Sequence, residues 1–152
     1  MRLQFGGKLR LLMLAIFSCL CVQLASSEAQ AVVNPSVGGT TTIQKVTPAG
    51  GGTTYQIKGA GSVINLPPAT KSVTVQITFQ KKANGAANFV DLLVVTQVTT
   101  AVNGTATFDT GFQDLAAAPA AGDVYRIKMD ATYTTANGTN AIPGTYSQEI
   151  SP

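Results

Sequence analysis

Two stretches of this chain alternate apolar and polar residues without a break, and a period of two is the repeat of an extended strand. Over 72–80, Val73, Val75, Ile77 and Phe79 fall on one side, and Ser72, Thr74, Gln76, Thr78 and Gln80 on the other. Over 124–133, Tyr125, Ile127, Met129, Ala131 and Tyr133 share a face, while Val124, Arg126, Lys128, Asp130 and Thr132 share the opposite one. Successive side chains of a strand point to opposite faces of the sheet. A helix with its period of 3.6 would scatter both sets around its axis. One dry and one wet face describe an antiparallel sheet packed on one side. Both apolar sets are therefore predicted to be interior.

The rest of the chain beyond residue 40 supports the same class. Shorter alternations occur at 54–58, with Tyr55 and Ile57 inward, and at 105–109, with Ala106 and Phe108 inward. Residues 89–98 are apolar on both faces, which predicts a central strand covered on both sides. Three Asn-Gly pairs, Asn84-Gly85, Asn103-Gly104 and Asn137-Gly138, stand between strand-like runs. Asn-Gly suits the two-residue type I′ hairpin turn, whose central residues both need positive φ. These pairs predict hairpins joining 72–82 to 87–98, 89–101 to 105–112, and 123–135 to 140–150. Their unequal spacing argues for reused turn chemistry rather than a repeat. Pro48–Gly52 reads as a loop, Leu66-Pro67-Pro68-Ala69 as a sharp break, and 116–122 as a small-residue crossover. Seven or eight strands with frequent turn signals predict a single antiparallel β-sandwich or a barrel over 41–152, preceded by an extended lead-in at 32–40.

The N-terminus is of another kind. Arg2, Lys8 and Arg10 precede an apolar run from Leu11 to Val22, and Ala29-Gln30-Ala31 follows as a small-x-small site. Basic, apolar, then small-residue site is the order of a secretory signal, here residues 1–31. The apolar run is shorter than the ~20 residues a membrane span needs. A lipoprotein signal modified at Cys19 or Cys21 is the alternative, and bulky Phe17 beside the cleavage point fits it poorly. Removing 1–31 takes both cysteines away and lowers the formal net charge from +3 to +1. A disulfide is then impossible, so a packed core must hold the domain. A net charge near zero leaves no electrostatic footprint for nucleic acid. The expected location is secreted or extracellular, with the periplasm or cell surface as variants.

The residue inventory is poor in chemistry. The chain has no histidine, which removes the commonest general base and metal ligand. Pairs of carboxylates could serve a glycosidase, and Asp109 with Asp114 or Asp123 with Asp130 can be nominated. They read better as soluble surface groups beside turns and on a polar strand face. Asp109, Asp114 and Asp123 could share a calcium ion, although no EF-hand spacing is present. Gly50-Gly51-Gly52 lacks the Lys-Ser/Thr of a phosphate loop. Asn103-Gly104-Thr105 and Asn137-Gly138-Thr139 fit the glycosylation acceptor pattern, but the same residues are needed as turns. No catalytic residue, metal or cofactor is expected. The ligand-facing candidates are Phe112 and Tyr146 among the aromatics, and Lys128 and Asp130 on the polar face of 124–133.

Tyr125-x-Ile127-x-Met129-x-Ala131 with Gly138 resembles the penultimate strand and final hairpin of fibronectin type III and related bacterial immunoglobulin-like domains. Leu115 and Pro119 resemble the approach to their tyrosine corner. The resemblance covers residues 115–150. It implies an immunoglobulin-like sandwich in which the Tyr125 hydroxyl ties its strand to the preceding loop, and it implies no activity. The chain departs from it in having no Trp and a long gap from Leu115 to Tyr125.

Together these readings predict a secreted, non-enzymatic structural or adhesion-type module. Its expected partner is an extracellular protein, a cell-surface polymer or another copy of itself. The alternative is a carbohydrate-binding module, which an exposed aromatic platform shared by Phe112 and Tyr146 would favour. An exposed, uncharged edge strand would favour self-assembly.

Overall fold

The interior sets predicted from alternation meet one another in register. In this computed structural model, which describes residues 33–152, Val75 lies opposite Ala131, Ile77 opposite Met129 and Phe79 opposite Ile127. All six are buried, so the two central strands present one continuous apolar face. The expected signal at 1–31, with Cys19 and Cys21, lies outside the described residues.

Residues Asn34–Pro152 form one compact unit. Its strands are β1 (Ser36–Val46), β2 (Thr54–Ile64), β3 (Ser72–Lys82), β4 (Val90–Thr99), β5 (Ala106–Asp109), β6 (Gln113–Asp114), β7 (Val124–Thr135) and β8 (Gly138–Tyr146). They build two antiparallel sheets: β1-β2-β5, with β6 also on β2, and β4-β3-β7-β8. The fold is an all-β sandwich. Val37, Ile57, Val63, Ala106 and Phe108 from the first sheet close over Val73, Val75, Ile77, Phe79, Tyr125, Ile127 and Met129 from the second. Each large side chain so buried contributes roughly 1.5–3 kcal/mol.

One close approach in the first sheet depends on glycine. Gly39 and Gly61 face each other across β1 and β2. A Cβ on Gly61 would meet the Gly39 Cα at 2.6 Å and the Phe108 Cζ at 2.7 Å. The bare backbone is the seat of the Phe108 ring.

Four expectations need correction. The lead-in is shorter than read, because β1 starts at Ser36. Its Thr and Gly residues pair along the whole of β2, from Ser36 opposite Ile64 to Val46 opposite Thr54.

The strand at 89–98 is not central. Among the described residues β4 pairs with β3 alone and forms one edge of its sheet.

The turns differ among themselves. Asn103 and Gly104 have φ of 51° and 75°, and Val102 and Thr105 exchange backbone bonds of 2.8 and 3.0 Å around them, as type I′ geometry requires. Yet the strands on either side diverge, β4 into one sheet and β5 into the other. At Asn84-Gly85 only the glycine has positive φ, and the Ala86 amide donates to the Ala83 carbonyl, which is a type II pattern. At the last hairpin Thr135 pairs with Gly138, so the central residues are Ala136 and Asn137, and Gly138 alone has positive φ, at 128°. At the first of these sites the Asn84 amide donates to the Asp123 carboxylate at 3.2 Å, and at the second the pairing of Thr135 with Gly138 places the turn one residue before the Asn-Gly pair.

Finally, Asp123 is not a surface carboxylate. It is 2% exposed, at the mouth of the crossover.

Candidate functional site

The most unusual surface of the described unit is the free edge of β4. Pairing with β3 fixes which side chains face the core. Val95 lies opposite Ile77 and packs on the core, Leu93 lies opposite Phe79 yet is 37% exposed, and Val94 opposite Thr78 and Val98 opposite Thr74 stand on the outer face. Val94 is 49% exposed, Val98 70% and Val90 58%. Leu92 sits where the register shifts between Phe79 and Gln80, so it is the extra residue of a bulge and is also exposed. Among the described residues no strand pairs with the other side of β4. From Leu92 to Thr99 the strand carries no charge and no proline. Its one charged residue, Asp91, accepts a 2.8 Å hydrogen bond from the Gln80 amide.

The opposite edge of the same sheet is guarded. β8 contains Pro143, which offers no N–H to a new neighbour. Pro143 and Gly144 together face Asp130 in a bulge between the Met129 and Ala131 pairings. Natural sheets blunt their edges with such devices, and here one edge has proline while the other has the Leu92 bulge and Asp91 at one end.

The outer face between the two edges is mostly Thr and Gln. Thr74, Gln76, Thr96, Asp130 and Thr132 line a shallow hollow of about 360 Å³. Lys128 donates to Asp130 at 2.8 Å, both side chains being partly exposed, and this partner raises the Lys128 pKa. Further along, the Arg126 guanidinium is stacked between two rings, 3.7 Å from the centre of Phe89 and 4.1 Å from that of Tyr146. Arg126 also donates to Gln80 at 2.9 Å. These contacts join β3, β7, β8 and the residue just before β4 into one braced surface.

Where the sheets part beside β4, a cleft of about 220 Å³ is lined by Ile57, Leu92, Leu93, Leu115, Tyr125 and Lys81. Ligand pockets start near ~300 Å³, so this one is small. Its polar wall is structural. Asp123 accepts from Lys81 Nζ at 2.7 Å, from the Ala120 amide at 2.8 Å and from the Asn84 amide at 3.2 Å. The Lys81 ammonium holds the Asp123 carboxyl below its usual range, helped by those two amides. In return Asp123 raises the Lys81 pKa. Burial raises that of the Tyr125 hydroxyl. The resemblance implied that Tyr125 would tie down the preceding loop. In this chain Asp123 takes that part, fastening the 116–122 crossover to the end of β3.

The remaining candidates are dispersed. Phe112 is 40% exposed and lies over Lys58 of the first sheet, with Nζ 5.6 Å from the ring centre. Tyr146 is 51% exposed on the outer face of the second sheet, where it pairs opposite Lys128. The two rings therefore stand on opposite sheets and make no shared platform for a sugar. The carboxylates nominated for calcium are separated by their partners. Asp109 accepts from Lys58 at 2.6 Å, Asp114 from Gln56 at 2.9 Å, and Asp123 from Lys81. The Lys58 ammonium and the Gly111 amide lower the Asp109 pKa. Asn84, Asn103 and Asn137 with their glycines are turn residues and line no common site.

Sequence reasoning missed the β4 edge by reading two apolar faces as two buried ones. The available signal was the same apolar run, since a strand can be apolar outward when its outer face awaits a partner. Compared with known protein families and with curated proteins, the chain matches none.

Proposed function

We propose that this chain is an exported, non-catalytic interaction module whose recognition surface is the β4 edge and the adjoining outer face. The observation that carries the reading is the β4 edge, left unpaired among the described residues, with Val90, Leu92, Val94 and Val98 exposed along it and Asp91 as its one charge. An exposed row of backbone donors and acceptors is a template for another strand, and added strands are a recurrent mode of recognition. Export is supported by the basic, apolar and small-residue order of 1–31. A non-catalytic role is supported by the sequence's lack of histidine and by carboxylates already engaged with lysines.

The strand order supports an immunoglobulin-type architecture. Immunoglobulin domains set strands A, B, E and D against C, F and G, and variable domains add C′ to the second sheet. Lettering β1, β2, β3, β4, β5, β7 and β8 as A, B, C, C′, E, F and G gives A-B-E against C′-C-F-G, the same order without D. Such a scaffold hosts many functions, so the function rests on the edge.

The test is capture from the envelope of the cells that make the protein, comparing the natural chain with a Val94→Lys/Val98→Lys variant. The expected result is a specific component retained by the first and lost by the second, with both melting alike. Equal retention would remove the edge from the mechanism. Hydrolase activity abolished by Asp109→Asn or Asp123→Asn in a folded protein would overturn the non-catalytic reading.

A further inference from the structure

We infer that the occupant of the β4 edge is the β4 strand of a second copy, paired antiparallel about a two-fold axis to make one continuous eight-stranded sheet. The inference rests on reading β4 as a docking edge and adds the identity of what docks. Three observations select a second copy.

The first is charge. β4 has a single charged residue, Asp91, at one end. Antiparallel pairing places the two Asp91 side chains at opposite ends of the junction, whereas parallel pairing would set them side by side. Like charges directly opposite destabilise a strand pair. No residue from Leu92 to Thr99 demands a countercharge, so a partner of equal neutrality is the complementary one.

The second is face matching. In antiparallel pairing, residues directly opposite project to the same side of the sheet. Outward Val94, Thr96 and Val98 are evenly spaced, so a copy turned about Thr96 sets Val94 against Val98, Thr96 against Thr96 and Val98 against Val94. Each apolar outward residue meets an apolar partner, and the middle pair is Thr-Thr. On the inner side the same register sets Val95 against Gln97. A self-complementary patch of this kind is what a two-fold interface requires.

The third is the asymmetry of the sheet. β8 carries Pro143 and the bulge at Asp130, so β4 has no equivalent edge on its own sheet to join head to tail. Within the second sheet the pairing that remains is β4 with β4, and it closes at two copies.

The test uses purified natural protein with no envelope present. Sedimentation over a range of concentrations should show a monomer–dimer equilibrium. Val94→Lys/Val98→Lys should raise the dissociation constant at least ~10-fold while leaving the melting temperature in place at concentrations where both proteins are monomers. Single-cysteine variants Val94→Cys, Thr96→Cys and Val98→Cys then read the register. Thr96→Cys should form a disulfide-linked dimer, confirmed by mapping the linked peptide. Val94→Cys and Val98→Cys should form it poorly alone and well when mixed. Equal self-linking at all three positions would mean a parallel junction and overturn the proposal. So would a natural protein that stays monomeric at every concentration. If that monomer still captures an envelope component in an edge-dependent way, only the second copy is excluded and the docking edge survives. If it captures none, both readings fall.

Discussion

At the scale of single residues, the two faces of β7 differ in what a substitution removes. Ile127 is buried between Phe79 and the first sheet, while Lys128 stands outside with Asp130. Ile127→Ala should cost ~2–5 kcal/mol through lost burial and an unfilled cavity. Lys128→Ala should leave the melting curve where it is, because exposed pairs contribute little. Melts of the two variants check this, and the reverse order would misplace the core. Asp123 adds a pH dependence. Its folded pKa lies below its unfolded one, mainly through Lys81. The stability it contributes is therefore complete above the unfolded carboxylate value of ~3.9 and is lost as pH falls through the lower folded value. Lys81 has the opposite sign. Its pKa is raised, so its contribution is complete below ~10.4 and is lost as pH climbs through the folded value. Thermal melts of the natural protein should fall off in acid below ~4, and Asp123→Asn should start lower at neutral pH and fall less. An equal acid loss in both would assign the effect to other carboxylates, Asp109 first.

At the scale of elements, legibility followed burial. The inward sets of β3 and β7 could be read from alternation, although Thr78 and Gln80, expected on the wet face of β3, are buried under the strands and side chains around them. β1 was partly missed because its inward positions include Gly39 and Thr41 rather than large apolar residues. Its pairing is long, but its sequence carries little hydrophobic period. β4 was found as a strand and misplaced, since a run apolar on both faces does not say whether the second cover is the same chain or another. Asp123 was misjudged because local sequence cannot show that Lys81, forty-two residues earlier, ends at the same corner. The turns could be located but not classified. Gly104 is the one whose replacement should matter most. Its φ is 75°, and a Cβ there would meet the Leu66 carbonyl at 3.3 Å, on the loop whose amide donates to the Gly104 carbonyl at 2.9 Å. Gly85 has a similar φ but open space around it. Valine at either site should cost at least ~1–2 kcal/mol for the left-handed backbone, with the larger loss at Gly104. Denaturant midpoints of the two variants decide it, and equal losses would mean that the Leu66 contact carries nothing.

At the scale of the whole molecule, the two edges of the second sheet determine what the sandwich can build. An edge that pairs only with itself gives a closed two-fold assembly, whereas two different compatible edges joined head to tail give an open filament. In this chain the choice depends on β8. Pro143 and Gly144 stand opposite the single residue Asp130, so the strand bends there and lacks a donor. Removing Gly144 and changing Pro143→Thr would leave one residue opposite Asp130. That would carry the register evenly from the Ala131–Ile142 pair to the Met129–Thr145 pair and restore the missing N–H. The second sheet would then have a free strand on each side. Light scattering of this variant should show mass growing with concentration beyond the dimer, and adding Val94→Lys/Val98→Lys should return it to small species. A variant that folds normally yet stops at two copies would show that proline and bulge are not what closes the assembly. The cover would then have to come from β1, which packs against β8 and whose Thr41 hydroxyl lies 2.7 Å from that of Ser147, the residue just after β8.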